Sequence, residues 1–159
     1  MTGKLEKLKQ DYALLAKKYD MPEYKVMNEE FDIEKAAEQE TDTLAREIRK
    51  IVVDKAIAYL RFIEMLLNPS NAPMFFFTAL KGMEPGDRAI LEEVYNKLGR
   101  IEIGVIGVDN DYSEKTEAEF VKRIFSDWKD IKESMRKISV SLQNGWEKKF
   151  ERKDKSYLG

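Results

Sequence analysis

Apolar side chains return every three to four positions through nearly the whole of this 159-residue chain. The residues that most strongly oppose a helix, the four prolines, are confined to Pro22 and to the zone 69–85, as Pro69, Pro73 and Pro85. Proline removes a backbone donor and clashes with the preceding turn, so the long proline-free stretches are free to be helical. In the opening block Leu5, Leu8, Tyr12, Leu15 and Tyr19 keep helical spacing until Asp20-Met21-Pro22 stops it.

The strongest helical signal covers 31–67. There Leu44, Ile48, Ile51, Val52, Ala56, Tyr59, Phe62, Ile63 and Leu66 trace one broad apolar face, and Arg46, Arg49, Lys50, Asp54 and Arg61 fall largely opposite. Thr41 or Asp42 can cap a fresh start, so the stretch reads as one helix of nearly forty residues or as two joined near Glu40. Residues 68–86 hold three prolines and two glycines and read as a loop with one short helical turn.

Beyond it, Asp87 can cap a helix in which Ile90, Leu91, Val94, Tyr95, Leu98, Ile101 and Val105 are periodic. Gly99, Gly104 and Gly107 each cost about 1 kcal/mol relative to alanine in such a helix. The run 101–108 also fits a strand, but a lone strand would leave its backbone groups unpaired, and helix is preferred. Ser113, followed by Glu114 and Glu117, signals a last helix start. The block that follows should bury Phe120, Val121, Ile124, Phe125, Trp128, Ile131, Met135, Ile138, Leu142 and Trp146, with a break near Ser126-Asp127 open. The expected fold is all-α: one domain over 1–150, an antiparallel bundle of four to six helices with the 31–67 helix as its spine, and a frayed basic tail over 151–159.

The chain has no histidine and no cysteine. Serine–histidine–aspartate and cysteine–histidine catalysis, cysteine-based zinc sites and carboxylate–histidine di-iron sites each lose a required member. Carboxylate, lysine and tyrosine chemistry remain. Net charge is only -2, although 36% of residues are charged, so neither a polyanion nor a generic polycation is encoded. The charges are uneven: residues 23–47 hold nine acids against three bases, and residues 129–159 nine bases against five acids. No secretory pattern and no membrane-length apolar run is visible, which makes the cytoplasm the expected compartment and excludes a membrane role. Abundant Lys and Glu with scarce Asn, Gln and Cys follow the composition of heat-adapted proteins.

Three constellations carry chemistry or recognition. Carboxylates three residues apart can share a hard cation, as helical metal-dependent phosphohydrolases require, and Glu84/Asp87 and Glu114/Glu117 have that spacing. The second pair also lies where a helix start favours acids on dipole grounds alone. Met74, Phe75, Phe76 and Phe77 form a bulky apolar run between prolines, whose side chains cannot all reach one interior, so part of it is a partner-binding candidate. Lys148, Lys149, Arg152, Lys153 and Lys155 form a basic C-terminal patch suited to phosphate or an acidic partner. Tyr59, Tyr95 and Tyr112 lie on apolar stripes and read first as core aromatics. No phosphate-loop string is present, and no cofactor is expected.

The segments MPEYKVMNEEFDIEK (21–35), LAREIRKIVVDKAIAYLRFIEMLLNP (44–69) and EAEFVKRIFSDWKDIKESM (117–135) resemble a group of archaeal helical proteins of unknown function. That resemblance spans most of the chain and implies an all-α fold and a thermophilic archaeal source, with no activity attached. AREIRKIVVDKA (45–56) and its flanks are also similar to helices of GINS-type replication-complex subunits, over about a quarter of the chain. The leading expectation is a non-enzymatic interaction or adaptor protein, working through helix faces and the 74–80 segment with a protein partner or a second copy. The alternatives are nucleic-acid or ribonucleoprotein association through the basic C-terminal face, and metal-dependent phosphate-ester hydrolysis by the paired acids.

Overall fold

The apolar periodicity becomes helix almost wherever it occurs, and each break has a local chemical cause. The structure, a computed structural model, describes the backbone of residues 2–157 and the side chains of 3–148 apart from Asn71. Among the described residues there are six α-helices, two short 3₁₀ helices and no strand, so the fold is an all-α helical bundle.

Helix α1 (Thr2–Tyr19) buries Leu8, Tyr12 and Leu15. It ends where Asp20 takes a left-handed conformation, φ 55°, and the Met21 amide returns to the Ala16 carbonyl at 2.9 Å. Helix α2 (Tyr24–Phe31) buries Met27 and Phe31 and stops in the same way, at Asp32 with φ 56°. A 3₁₀ helix (Ile33–Glu38) then buries Ile33 and Ala36. The expected 31–67 helix is therefore interrupted: α3 (Leu44–Leu67) begins only after Thr43, whose carbonyl accepts from the Arg46 and Glu47 amides. The Thr41 hydroxyl accepts the Thr43 amide at 3.0 Å and shapes that entry. At 44 residues, α6 and not α3 is the longest element.

The proline zone holds a 3₁₀ turn (Pro69–Asn71) and a true helix, α4 (Met74–Leu80). Helix α5 (Pro85–Asn110) starts two residues before the expected cap. Asp87 lies inside its first turn and accepts the Glu84 amide at 2.8 Å, the returning half of a capping box. Residues 101–108 are helical throughout. An added Cβ at Gly104 would lie 2.7 Å from the Phe120 ring, so a larger residue there would have to move that buried side chain. Helix α6 (Glu114–Tyr157) starts at the expected Ser113, whose hydroxyl accepts the Thr116 amide. It runs unbroken through Ser126, whose hydroxyl is absorbed by the Arg123 carbonyl at 2.8 Å.

The chain folds as two compact units. Residues 1–57 with 100–127 form the first, and 58–99 with 128–159 the second. The core of the first is built from α1, α2, the first half of α3 (Ala45, Ile48, Val52, Val53, Ala56), Ile101 and Val108 of α5, and Ala118, Phe120, Val121 and Ile124 of α6. The Tyr12 hydroxyl donates to the Pro22 carbonyl at 2.7 Å, and the ring meets Tyr24 edge-on. The core of the second holds Leu60, Ile63 and Leu66 of α3, Phe76 and Ala79 of α4, Leu91, Val94 and Leu98 of α5, and Trp128, Ile131 and Ile138 of α6. Here Tyr59 stacks on Trp128 at 5.3 Å, and Phe62 meets Phe76 at 5.6 Å. No helix among the described residues is long and apolar enough to cross a membrane.

Candidate partner-binding surface and the fate of the acid pairs

Helix α4 is too short to be stable alone, so its position depends on what it packs against. Phe76 supplies the anchor, 7% exposed, and Thr78 and Ala79 are buried beside it. A second device fixes the end of the helix. Gly82 and Gly145 bring two backbones into direct contact: a Cβ on Gly82 would collide with the backbone of Ser141 and Gly145, and one on Gly145 with Ala79 and Gly82. Only glycine at both positions permits this approach.

So held, α4 turns three of its four bulky residues outward. Met74 is 86% exposed, Phe75 52% and Phe77 45%. Met74 and Phe77, one turn apart, share a face. Trp146, expected in the core, is instead 38% exposed with its ring edge-on to Phe75 at 6.3 Å. It is Gly145, one position earlier, that occupies the buried side of the helix at this turn. Together these side chains offer an exposed apolar surface, of the kind that is often functional on a soluble monomer.

The acid pairs have other occupations. Glu117 is wholly buried, and its two oxygens are taken by guanidinium groups: Arg46 Nε donates to Oε1 at 2.8 Å, Arg49 Nε to Oε2 at 2.6 Å. Arg49 also reaches Asp109 at 2.5 Å, and Arg46 reaches the Val108 carbonyl at 3.0 Å while lying over the Tyr112 ring. Burial works against the Arg49 charge, but the hydrogen bonds to Glu117 and Asp109 outweigh it, so its pKa is raised and the guanidinium stays charged. Glu114 is held by Lys18 and by the Tyr19 hydroxyl, both at 2.9 Å. These contacts lower its pKa, the Lys18 hydrogen bond most. Glu84 is exposed, and Asp87 is engaged with the Glu84 amide. Among the described residues no three acidic side chains converge as a metal ion would require.

Sequence reasoning placed Arg49 on the solvent face, yet it is 2% exposed. The signal was present in the register: Ala45, Arg49, Val52 and Ala56 follow at helical steps, so a cation sits inside the apolar stripe. The tyrosines do not form a proton relay. Tyr59 is stacked on Trp128, and Tyr95 and Tyr112 are 41% and 40% exposed. Burial pushes the Tyr12 hydroxyl well above its ordinary pKa, away from use as a base at neutral pH. Of the basic patch, Lys148 is exposed, and the side chains of Lys149, Arg152, Lys153 and Lys155 lie outside the described residues. The acids of the 23–47 segment, including Glu29, Asp32, Glu34, Glu38 and Glu40, face water.

A cleft of about 530 Å³ in the first unit is lined by Lys4, Lys7, Asp11, Glu40 and Asp42 among others. Its interleaved signs present no single charge to recruit a ligand. Comparison with protein-family models, curated proteins and solved structures finds no match for this chain.

Proposed function

We propose that this protein is a non-enzymatic interaction module that docks a protein partner through the outer face of α4. The observation that carries the reading is the run Met74, Phe75 and Phe77, exposed together and continued by Trp146. Methionine and aromatic residues are enriched at interface cores, and the largest exposed apolar patch of a monomer is often functional. The buried Phe76 and the Gly82–Gly145 contact hold the surface in place before a partner arrives, which lowers the ordering cost of binding. The i, i+3 placement of Met74 and Phe77 suits a helix laid into an apolar groove of the partner.

The test is affinity capture from the native host with the wild-type chain and with a Met74→Glu/Phe77→Glu variant. A partner retained by the first and lost from the second, and then binding the purified wild-type chain directly, is the expected result. An identical set of captured proteins from both would overturn the reading, provided that circular dichroism shows the variant folded.

A further inference from the structure

A different face of the molecule, in the first unit, points to a different partner. On α5, Ile103 is 71% and Ile106 67% exposed, the most exposed isoleucines of the described chain. Gly107 follows on the same face, and an added Cβ there would meet nothing within 4 Å. A helical glycine is unfavourable relative to alanine. Gly104 meets the Phe120 ring, whereas Gly107, like Gly99 earlier in the same helix, faces open space. A glycine beside two exposed isoleucines is what a closely approaching second helix would use.

The charges at the two ends of this strip identify the occupant. Arg100, at the N-terminal end, and Asp111, just past the C-terminal end, are both exposed and form no ion pair among the described residues. They stand about 16 Å apart along the helix axis. An antiparallel copy of the same helix sets Arg100 of each chain near Asp111 of the other, with Ile103 and Ile106 between them and Gly107 admitting the facing side chains. A two-fold interface requires such self-complementarity, with each contact made twice. We propose that the 100–111 face of α5 is a homodimer interface, formed by antiparallel pairing of α5 with α5 of a second copy. This is independent of the α4 docking reading and uses none of its residues.

Sedimentation equilibrium over a wide concentration range tests it. The mass should rise with concentration towards twice that of the chain, and Ile103→Glu should hold it at one chain. Arg100→Asp alone or Asp111→Arg alone should weaken association roughly ten-fold, because the two-fold axis counts each exposed pair twice, and the double charge swap should restore it. The swap keeps the test decisive even if Ile103→Glu disturbs the fold. A mass of one chain at every concentration would overturn the proposal. So would a dimer indifferent to all four variants, or one abolished by Met74→Glu, which would assign self-association to α4 instead.

Discussion

Two regions of this molecule place side chains against the usual preference, and they do so in opposite directions. In the first unit Arg49 and Glu117 are ionised groups taken almost fully out of water, with Arg46 and Asp109 completing the set. In the second, Met74, Phe75 and Phe77 are apolar groups left in water. The buried charges are compensated internally: each Glu117 oxygen has a guanidinium donor, and Arg49 has two acidic partners. The exposed apolar groups are covered only in part, Phe75 by the Phe76 and Trp146 rings. A buried ion pair with every partner present explains itself as architecture, whereas the exposed apolar residues of α4 have no such explanation within the fold and carry the docking proposal.

That contrast can be broken in several ways. The largest expected effect is at Glu117. Removing the carboxylate leaves Arg46 without an acidic partner and Arg49 with Asp109 alone, so Glu117→Gln should lower unfolding free energy by about 3–5 kcal/mol in urea titration. Replacing Arg49 and Glu117 together by Met and Leu should recover much of that loss, because apolar groups of similar volume remove the unpaired charge. If the double replacement is worse than either single one, the cluster does more than support the fold.

Next in size is Gly145→Ala. Its methyl group meets backbone, not a yielding side chain, so the variant should lose about 1–3 kcal/mol and loosen α4, seen as faster amide exchange over 74–80. Met74→Glu should change stability by less than about 0.5 kcal/mol, since the side chain is already in solvent, while removing partner binding.

The smallest effect is at Glu114. Its pKa is depressed by Lys18 and Tyr19 in the folded chain, so the stability this contact gives is present above the unfolded carboxylate value and declines as pH falls through the folded one. Both side chains are well exposed, so the contribution is small. Lys18→Met should flatten this acid-side pH dependence, as measured by melting temperature between neutral and acid pH.

The helices over 2–19, 44–67, 85–110 and 114–157, the Asp20 stop and the Ser113 start were legible because they depend on local chemistry, periodicity, caps and breakers, whereas α2 (Tyr24–Phe31) was not assigned. The break at 38–44 was visible as an alternative through Thr41 and Asp42, but short-range signals did not choose between one helix and two. The α4 run was legible as a candidate, since four consecutive bulky residues cannot share an interior. What local pattern could not show was which long-range partner each face would meet. Arg49 is buried because Glu117 and Asp109, some sixty positions away in sequence, supply its hydrogen bonds. Gly145 is buried against Gly82, a contact that no spacing rule connects, and Trp146 beside it is exposed. The acid pair Glu114/Glu117 was identified by spacing, and its chemistry is set by the cations that the fold brings to it.

The most direct test of the account is urea unfolding of Met74→Glu and Glu117→Gln side by side with the parent chain. The account expects the surface variant to unfold with the parent, and the buried-charge variant to unfold about 3–5 kcal/mol earlier. A Met74→Glu chain markedly destabilised while Glu117→Gln is unaffected would show that the α4 face supports the fold and that the buried acid does not, contradicting the account at its centre.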